Sequence, residues 1–146
     1  MIRPATLEDA DTLADLTGQL GYPTTEVELT GRLRRVLASP HDAVLVAVTG
    51  DDRPIGWVHV GRELLLEASD TATLQGLVVD DAHRSAGVGA ELLRAAEAWA
   101  RANGCIRMTV RSRIARERAH RFYEREGYVL EKTSHVFRKP LVSGEA

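Results

Sequence analysis

The chain has 146 residues, 44% hydrophobic and 27% charged, with a formal net charge of −2. That length suits one domain, residues 1–146, with a core of its own, and the mild negative balance excludes a general affinity for nucleic acid or anionic membrane. A lone cysteine, Cys105, excludes a disulfide framework within the chain and C-x-x-C metal spacing, and the five histidines form no i, i+4 ligand pair.

No metal is therefore expected. The opening MIRPATLEDA lacks the apolar stretch of a signal peptide, and no run approaches the roughly 20 apolar residues that span a bilayer. A cytoplasmic protein without a membrane partner is expected, as a monomer or homodimer.

In chain order, TLEDADTLADLTGQL opens with Thr6 and an acid three residues on, Asp9, close to a capping box. Leu13, Leu16 and Leu20 recur at helical spacing until Gly21. A turn follows, then a second helix with Leu29, Leu33, Val36 and Leu37 on one stripe, ended by Pro40. AVLVAV (residues 43–48) and IGWVHV (55–60), separated by the turn TGDDRP, read as paired antiparallel strands. GRELLLEASD fits a strand end, a turn or an acidic loop. TATLQGLVV (71–79) is a third strand, and Gly76 inside it suggests a bulge or a close approach. A long helix keeps Val88, Leu92, Ala96, Trp99 and Ala100 on one face up to Gly104. CIRMTV alternates as a strand. ARERAHRFYEREG is a fourth helix ending at Gly127, and YVLEKTSHVFRKPL reads as one or two closing strands. The class is α+β, built on a mixed sheet.

HRSAGVGAELL (residues 83–93) lies where a strand turns into a helix. The first N–H groups of a helix lack partners, and its dipole favours negative charge there. Gly87 and Gly89 admit close backbone approach. A tight turn without a ligand needs the same glycines, so the pair by itself leaves both readings open. A Walker A loop would need Lys and Ser/Thr after the second glycine, where Ala90 and Glu91 stand. The G-x-G-x-x-G fingerprint fails at Leu92.

The wider stretch LVVDDAHRSAGVGAELL resembles the acyl-CoA motif of the GNAT superfamily of N-acetyltransferases, V-x-P-x-x-[RQ]-G-x-G-x-[GA]. Val79, Arg84, Gly87 and Gly89 match, while Asp81 replaces the common Pro and Ser85 the common Gly. Further on, RERAHRFYEREGY resembles the family's second signature, N-x-x-A-x-x-[FL]-Y-x-x-x-G-[FY], through Ala119, Phe122, Tyr123, Gly127 and Tyr128, with Arg116 in place of Asn. The order of elements is similar along almost the whole chain.

The resemblance implies a GNAT-type acyl-CoA N-acyltransferase fold, with a mixed, mostly antiparallel central sheet flanked by helices, and acetyl-CoA as cosubstrate. It implies that the backbone from Ser85 through Ala86, Gly87, Val88, Gly89 and Ala90 cradles the pyrophosphate, with Arg84 beginning the turn. The pantetheine arm would pair with Leu77, Val78 and Val79, beside a splay between that strand and CIRMTV. The Val79 N–H would meet the oxyanion, and Tyr123 would serve as general acid; its other reading is a core aromatic. A phenol titrates near ~10 and a thiol near ~8.5, so protonating the leaving thiolate needs help from hydrogen bonding or environment.

No base is legible. Thr73 stands near where many members have Glu. His59 and Glu63 share a strand face with Trp57 by alternation, and His120 shares a helical face with Tyr123; for each, a structural role or a water chain serves as well. Arg116 would touch the cosubstrate or pair with Glu63 or Asp70. The basic run from Arg111 to Arg121 reads as a solvated face rather than a nucleic-acid site.

The acceptor is expected to be a primary amine on a small molecule. Tyr22, between the first two helices, is a candidate contact, with a packed turn residue as its alternative. Glu26, Glu28, Glu63, Glu67 and Asp70 would bring a negative field if they line the mouth. A non-catalytic acyl-CoA sensor and a protein or peptide N-acetyltransferase are the alternatives.

Overall fold

The computed structural model describes residues 1–68, 70–84 and 86–144. Five strands stand side by side in chain order: β1 (Ile2–Pro4), β2 (Asp42–Val48), β3 (Pro54–Glu63), β4 (Thr71–Val79) and β5 (Arg107–Val110). The first three pairings are antiparallel. β4 and β5 are parallel, because the helix between them carries the chain back across the sheet. The sheet is thus mixed and mostly antiparallel, as the resemblance implied. β1, three residues long, offers no alternation to read and was not expected.

The four helices are α1 (Ala10–Gln19), α2 (Glu26–Ala38), α3 (Val88–Ala102) and α4 (Glu117–Arg125). A 3-10 turn, Leu7–Asp9, precedes α1. Asp9 closes the expected capping contact by accepting the Thr6 N–H at 2.9 Å, and both its oxygens accept from the Arg3 guanidinium at 2.9 Å. Burial works against the Asp9 charge, but these donors outweigh it and hold the carboxyl below its ordinary range. α2 starts at a reciprocal box, Thr25 with Glu28, which the sequence reading passed over.

α1 and α2 cover one face of the sheet. Leu13, Leu16 and Leu33 pack with Val44, Val46, Val48 and Val78, and Trp57 joins them. α3 covers the other face: a Cβ on Gly56, which alternates with Trp57, would lie 3.0 Å from Leu92. Leu92, Leu93 and Ala96 are fully buried.

The chain divides into two compact units, Met1–Arg111 and Ser112–Ala146. The second contains α4 and an extended tail. The closing strands expected in YVLEKTSHVFRKPL are absent: no described residue from 128 to 140 lies in a strand. A strand is defined by its ladder, and alternation alone supplies no partner.

Candidate active site

The sheet opens beside β4. Pairing of β4 with β5 stops at Leu74 and Val110, so residues 75–79 have β3 on one side and no β5 on the other. On the β3 side the register slips where His59 faces Gly76 and Val60 faces Leu74, which leaves Gln75 as the extra residue of a bulge. Gly76 makes room there: a Cβ would lie 2.7 Å from two ring carbons of Trp57, so the ring or the bulge would have to shift. Both readings of Gly76, bulge and close approach, are met.

The direction of the free backbone groups follows from one bond. Asp80 donates its N–H to the Ile55 carbonyl at 2.8 Å, and Val79 stands opposite Gly56. In an antiparallel ladder this makes Val79 and Gly56 a non-hydrogen-bonded pair, so the N–H and C=O of Val79 turn away from β3. Leu77, two residues earlier, does the same. Both therefore address the side that β5 does not reach, while Val78 is bonded to β3 and buried. An extended amide chain would find its partners at Leu77 and Val79.

β4 then runs through a 3-10 turn, Asp81–His83, into α3. Gly87 is the N-cap of α3 in the left-handed region, φ 82°, and no side chain among the described residues caps the helix. The first N–H groups of α3 are left for an anion. Open space surrounds the Gly87 Cβ position. Arg84 pairs with Asp81 at 2.8 Å, so its guanidinium serves the turn. Ala86 is exposed, and Val88, Gly89 and Ala90 are half-buried in the first turn of α3. Ser85 lies outside the described residues.

One residue of this region had no signal in the sequence. Gln19, the last residue of α1, donates to Asp80 Oδ1 at 3.1 Å and accepts the Asp81 N–H at 2.9 Å. Asp80 also meets His83 Nδ1 at 3.2 Å, and the Gln19 hydrogen bond, helped by the His83 contact, holds its carboxyl below the ordinary range against the opposing effect of burial.

Tyr123 is placed by the end of α4. The Tyr128 N–H bonds the Tyr123 carbonyl at 2.9 Å and the Gly127 N–H bonds the Glu124 carbonyl at 3.1 Å. Gly127 has φ 94°. This is a Schellman ending, and its usual apolar contact is here an aromatic pair: the Tyr123 and Tyr128 rings stand 5.9 Å apart, edge to face. Phe122 stands against the Tyr123 ring at 5.1 Å. Burial pushes the Tyr123 phenol up, and the nearby Arg116 charge opposes it.

The other candidates have structural partners. His59 Nε2 meets Asp42 Oδ1 at 2.8 Å, and Ser39 donates to the other oxygen at 2.7 Å. His120 Nε2 donates to the Arg113 carbonyl at 2.7 Å. Glu63 accepts from Thr73 at 2.5 Å and from Arg111 at 3.5 Å, and Asp70 pairs with Arg62 at 3.6 Å. With Glu28 in the α2 cap, three of the five acids expected to bring a negative field are already engaged. Tyr22 is exposed in the α1–α2 connection, which removes its reading as a packed turn residue.

The sequence matches the Acetyltransferase (GNAT) family over residues 10–128, and the chain belongs to that family. It is similar to the aminoglycoside N(6')-acetyltransferase type 1 of Stenotrophomonas maltophilia, 33% identical over 147 residues that cover 96% of this chain and 93% of the relative. A protein of the same description from Klebsiella aerogenes is 30% identical, covering 68% and 67%.

Among solved structures, the aminoglycoside 6'-N-acetyltransferase AAC(6')-IG of Acinetobacter haemolyticus superposes with TM-score 0.83 at 23% identity, covering 97% of this chain and 99% of that one. AAC(6')-Iy, solved with the bisubstrate analogue CoA-S-monomethyl-acetylneamine, superposes with TM-score 0.84 at 19% identity, covering 96% and 97%. At these identities the likeness concerns the fold. No helix among the described residues is long and apolar enough to cross a membrane.

Proposed function

We propose that this chain, working as one cytoplasmic domain over residues 1–146, transfers the acetyl group of acetyl-CoA to a primary amine of a small molecule, with an aminoglycoside as the first acceptor to test. The observation that carries the reading is the open edge of β4 leading directly into the uncapped, glycine-led start of α3. Leu77 and Val79 offer main-chain groups to the pantetheine amides. The turn from Arg84 through Ser85 to Ala90 offers N–H groups to the pyrophosphate. The family match crosses the boundary between the two compact units, which supports one working domain. The acceptor class follows from the likeness to the two aminoglycoside N(6')-acetyltransferases.

In the reaction, the neutral amine nitrogen attacks the thioester carbonyl carbon. The Val79 N–H donates to the oxyanion. Collapse breaks the C–S bond, the amine gives up its proton to water, the thiolate accepts one from Tyr123, and the phenolate takes a proton back from water before the next turnover. A phenol pushed up by burial keeps its proton at neutral pH, so it is always loaded. Its reference value already lies above that of a thiol, so the transfer works through hydrogen bonding to the developing thiolate. Tyr22 and Glu63 stand as acceptor contacts.

Thiol release from acetyl-CoA over a panel of aminoglycosides, polyamines and peptides tests the proposal. Release with aminoglycosides alone is expected. Release with peptides alone would replace the acceptor class, and tight acetyl-CoA binding with no release on any amine would make the chain a sensor.

A further inference from the structure

His59 stands beside the place where the sheet opens. Across the β3–β4 ladder it faces Gly76, a residue of the open stretch of β4, so β4 puts no side chain next to it. The Trp57 ring, which packs on Gly76, flanks the same place. Neighbouring strands lie about 4.7–4.9 Å apart. An amine seated over β4 there is within one water of the imidazole, close enough for a general base.

The ring is held in one orientation. Its Nε2 meets Asp42 Oδ1 at 2.8 Å, and Ser39 donates to Oδ2 at 2.7 Å. Burial opposes the Asp42 charge, but the Ser39 and His59 bonds outweigh it and hold the carboxyl below its ordinary range. An ionised carboxylate only accepts hydrogen bonds, so Nε2 carries the proton and Nδ1 keeps its lone pair. Nδ1 bonds no described residue. Gly61 makes room for the pair: a Cβ there would lie 2.8 Å from Asp42 Oδ1 and 3.7 Å from Nε2 of Gln75, the residue that the bulge pushes out. The His59 and Asp42 side chains are 25% and 26% exposed, so water reaches them.

We propose that His59, with Asp42 as its positioning residue, takes up through a water the proton that the acceptor amine releases. This rests on acetyl-CoA lying along the open edge of β4. As the amine nitrogen bonds the carbonyl carbon, its proton passes to the water, and the water passes one to Nδ1. Asp42 balances the imidazolium, which returns the proton to solvent before the next turnover. The surroundings leave the ring free for this. α1 and α2 meet this face of the sheet through leucines and Val36. Thr73, Gln75 and Gly76 of β4 are uncharged. Asp42 is the carboxylate at the ring, with His41 beyond it. Glu63, further along β3, is engaged by Thr73 and Arg111.

Kinetics use an aminoglycoside that the native chain acetylates. His59→Gln keeps a donor for Asp42 and lacks the base. It should lower kcat about a hundredfold or more, with the KM for acetyl-CoA nearly kept. Lost packing also costs rate, so the pH profile decides. Amine and imidazole must both be unprotonated, so the acid limb of log kcat/KM for the acceptor should be steeper by one proton in the native chain than in His59→Gln. Should His59→Gln fold poorly by circular dichroism, free imidazole should restore turnover to His59→Ala. Imidazole nitrogen NMR of the unliganded native chain should show neutral His59 protonated at Nε2. Equally steep limbs, no rescue of a folded His59→Ala, or a proton on Nδ1 each overturn the proposal and leave the transferase reading standing. Tight acetyl-CoA binding without release on any amine is the separate failure of that reading, and it removes this proposal with it.

Discussion

Gln19 holds Asp80: its amide nitrogen donates to the Asp80 carboxylate at 3.1 Å, while its amide oxygen takes the N–H of the next residue, Asp81, at 2.9 Å. The end of α1 is thereby tied to the turn that leads into α3. On the proposed function, one side of this tie faces the acceptor connection and the other the pyrophosphate turn. The bond to the Asp81 N–H is neutral, a loss of about 0.5–1.5 kcal/mol, and the one to the ionised Asp80 carboxylate is charge-assisted and adds to it. Gln19→Ala should therefore raise the KM for acetyl-CoA by about tenfold or more, with a smaller change in kcat. Steady-state kinetics check this, and an unchanged KM would confine Gln19 to holding α1.

Gly76 admits the Trp57 ring. Gly76→Ala forces the indole or the bulge to move, at about 1–3 kcal/mol. A lower denaturation midpoint is expected, together with weaker acetyl-CoA binding, because the bulge precedes the open edge. Adding Trp57→Leu should return part of the stability, and no recovery would show that the strain lies in the backbone.

Gly87 tests the anion site. Gly87→Glu has space for its stem, but its carboxylate enters the N-terminal field of α3 and φ 82° strains it. Acetyl-CoA binding should disappear in calorimetry. Gly87→Asn, which tolerates the left-handed region better, should keep most of the affinity. Full affinity in a folded Gly87→Glu protein would take the pyrophosphate away from this turn.

Tyr123→Phe should lower kcat by roughly ten- to ten-thousand-fold with acetyl-CoA affinity nearly kept. The pH dependence has a definite sign. The phenol acts in its protonated form and burial raises its pKa, so its contribution persists through neutrality and is lost only as pH rises above about 10. An alkaline limb present in the native enzyme and missing from Tyr123→Phe is the expected pair of profiles. Equal turnover in both would return Tyr123 to packing alone.

Asp9 carries an acid-sensitive part of the stability. Its folded pKa is lowered, so its contribution is full above the unfolded value near 3.9 and fades as pH falls through the folded one. Asp9→Asn should cost about 1–3 kcal/mol at neutral pH, with the gap to the native protein closing below about pH 4. A gap independent of pH would point to lost geometry instead of lost charge.

By itself the sequence determined what depends on neighbours along the chain. The helical stripes, the Thr6–Asp9 cap, four of the five strands, the glycine that turns into α3 and the Gly127 stop were legible, because capping, periodicity and left-handed φ are local. Two spaced signatures sufficed for the family. Tertiary structure decided what depends on residues far apart. It ended the β4–β5 pairing at Leu74 and Val110, set Val79 with its amide toward the open side, joined Gln19 to a turn about sixty residues away, and engaged His59, His120, Glu63 and Asp70 in structural contacts. It also left the alternating tail without a ladder, since alternation says which residues share a face and never which strand lies beside them. Partnership across space is set by register and packing, and a single chain read in order contains neither.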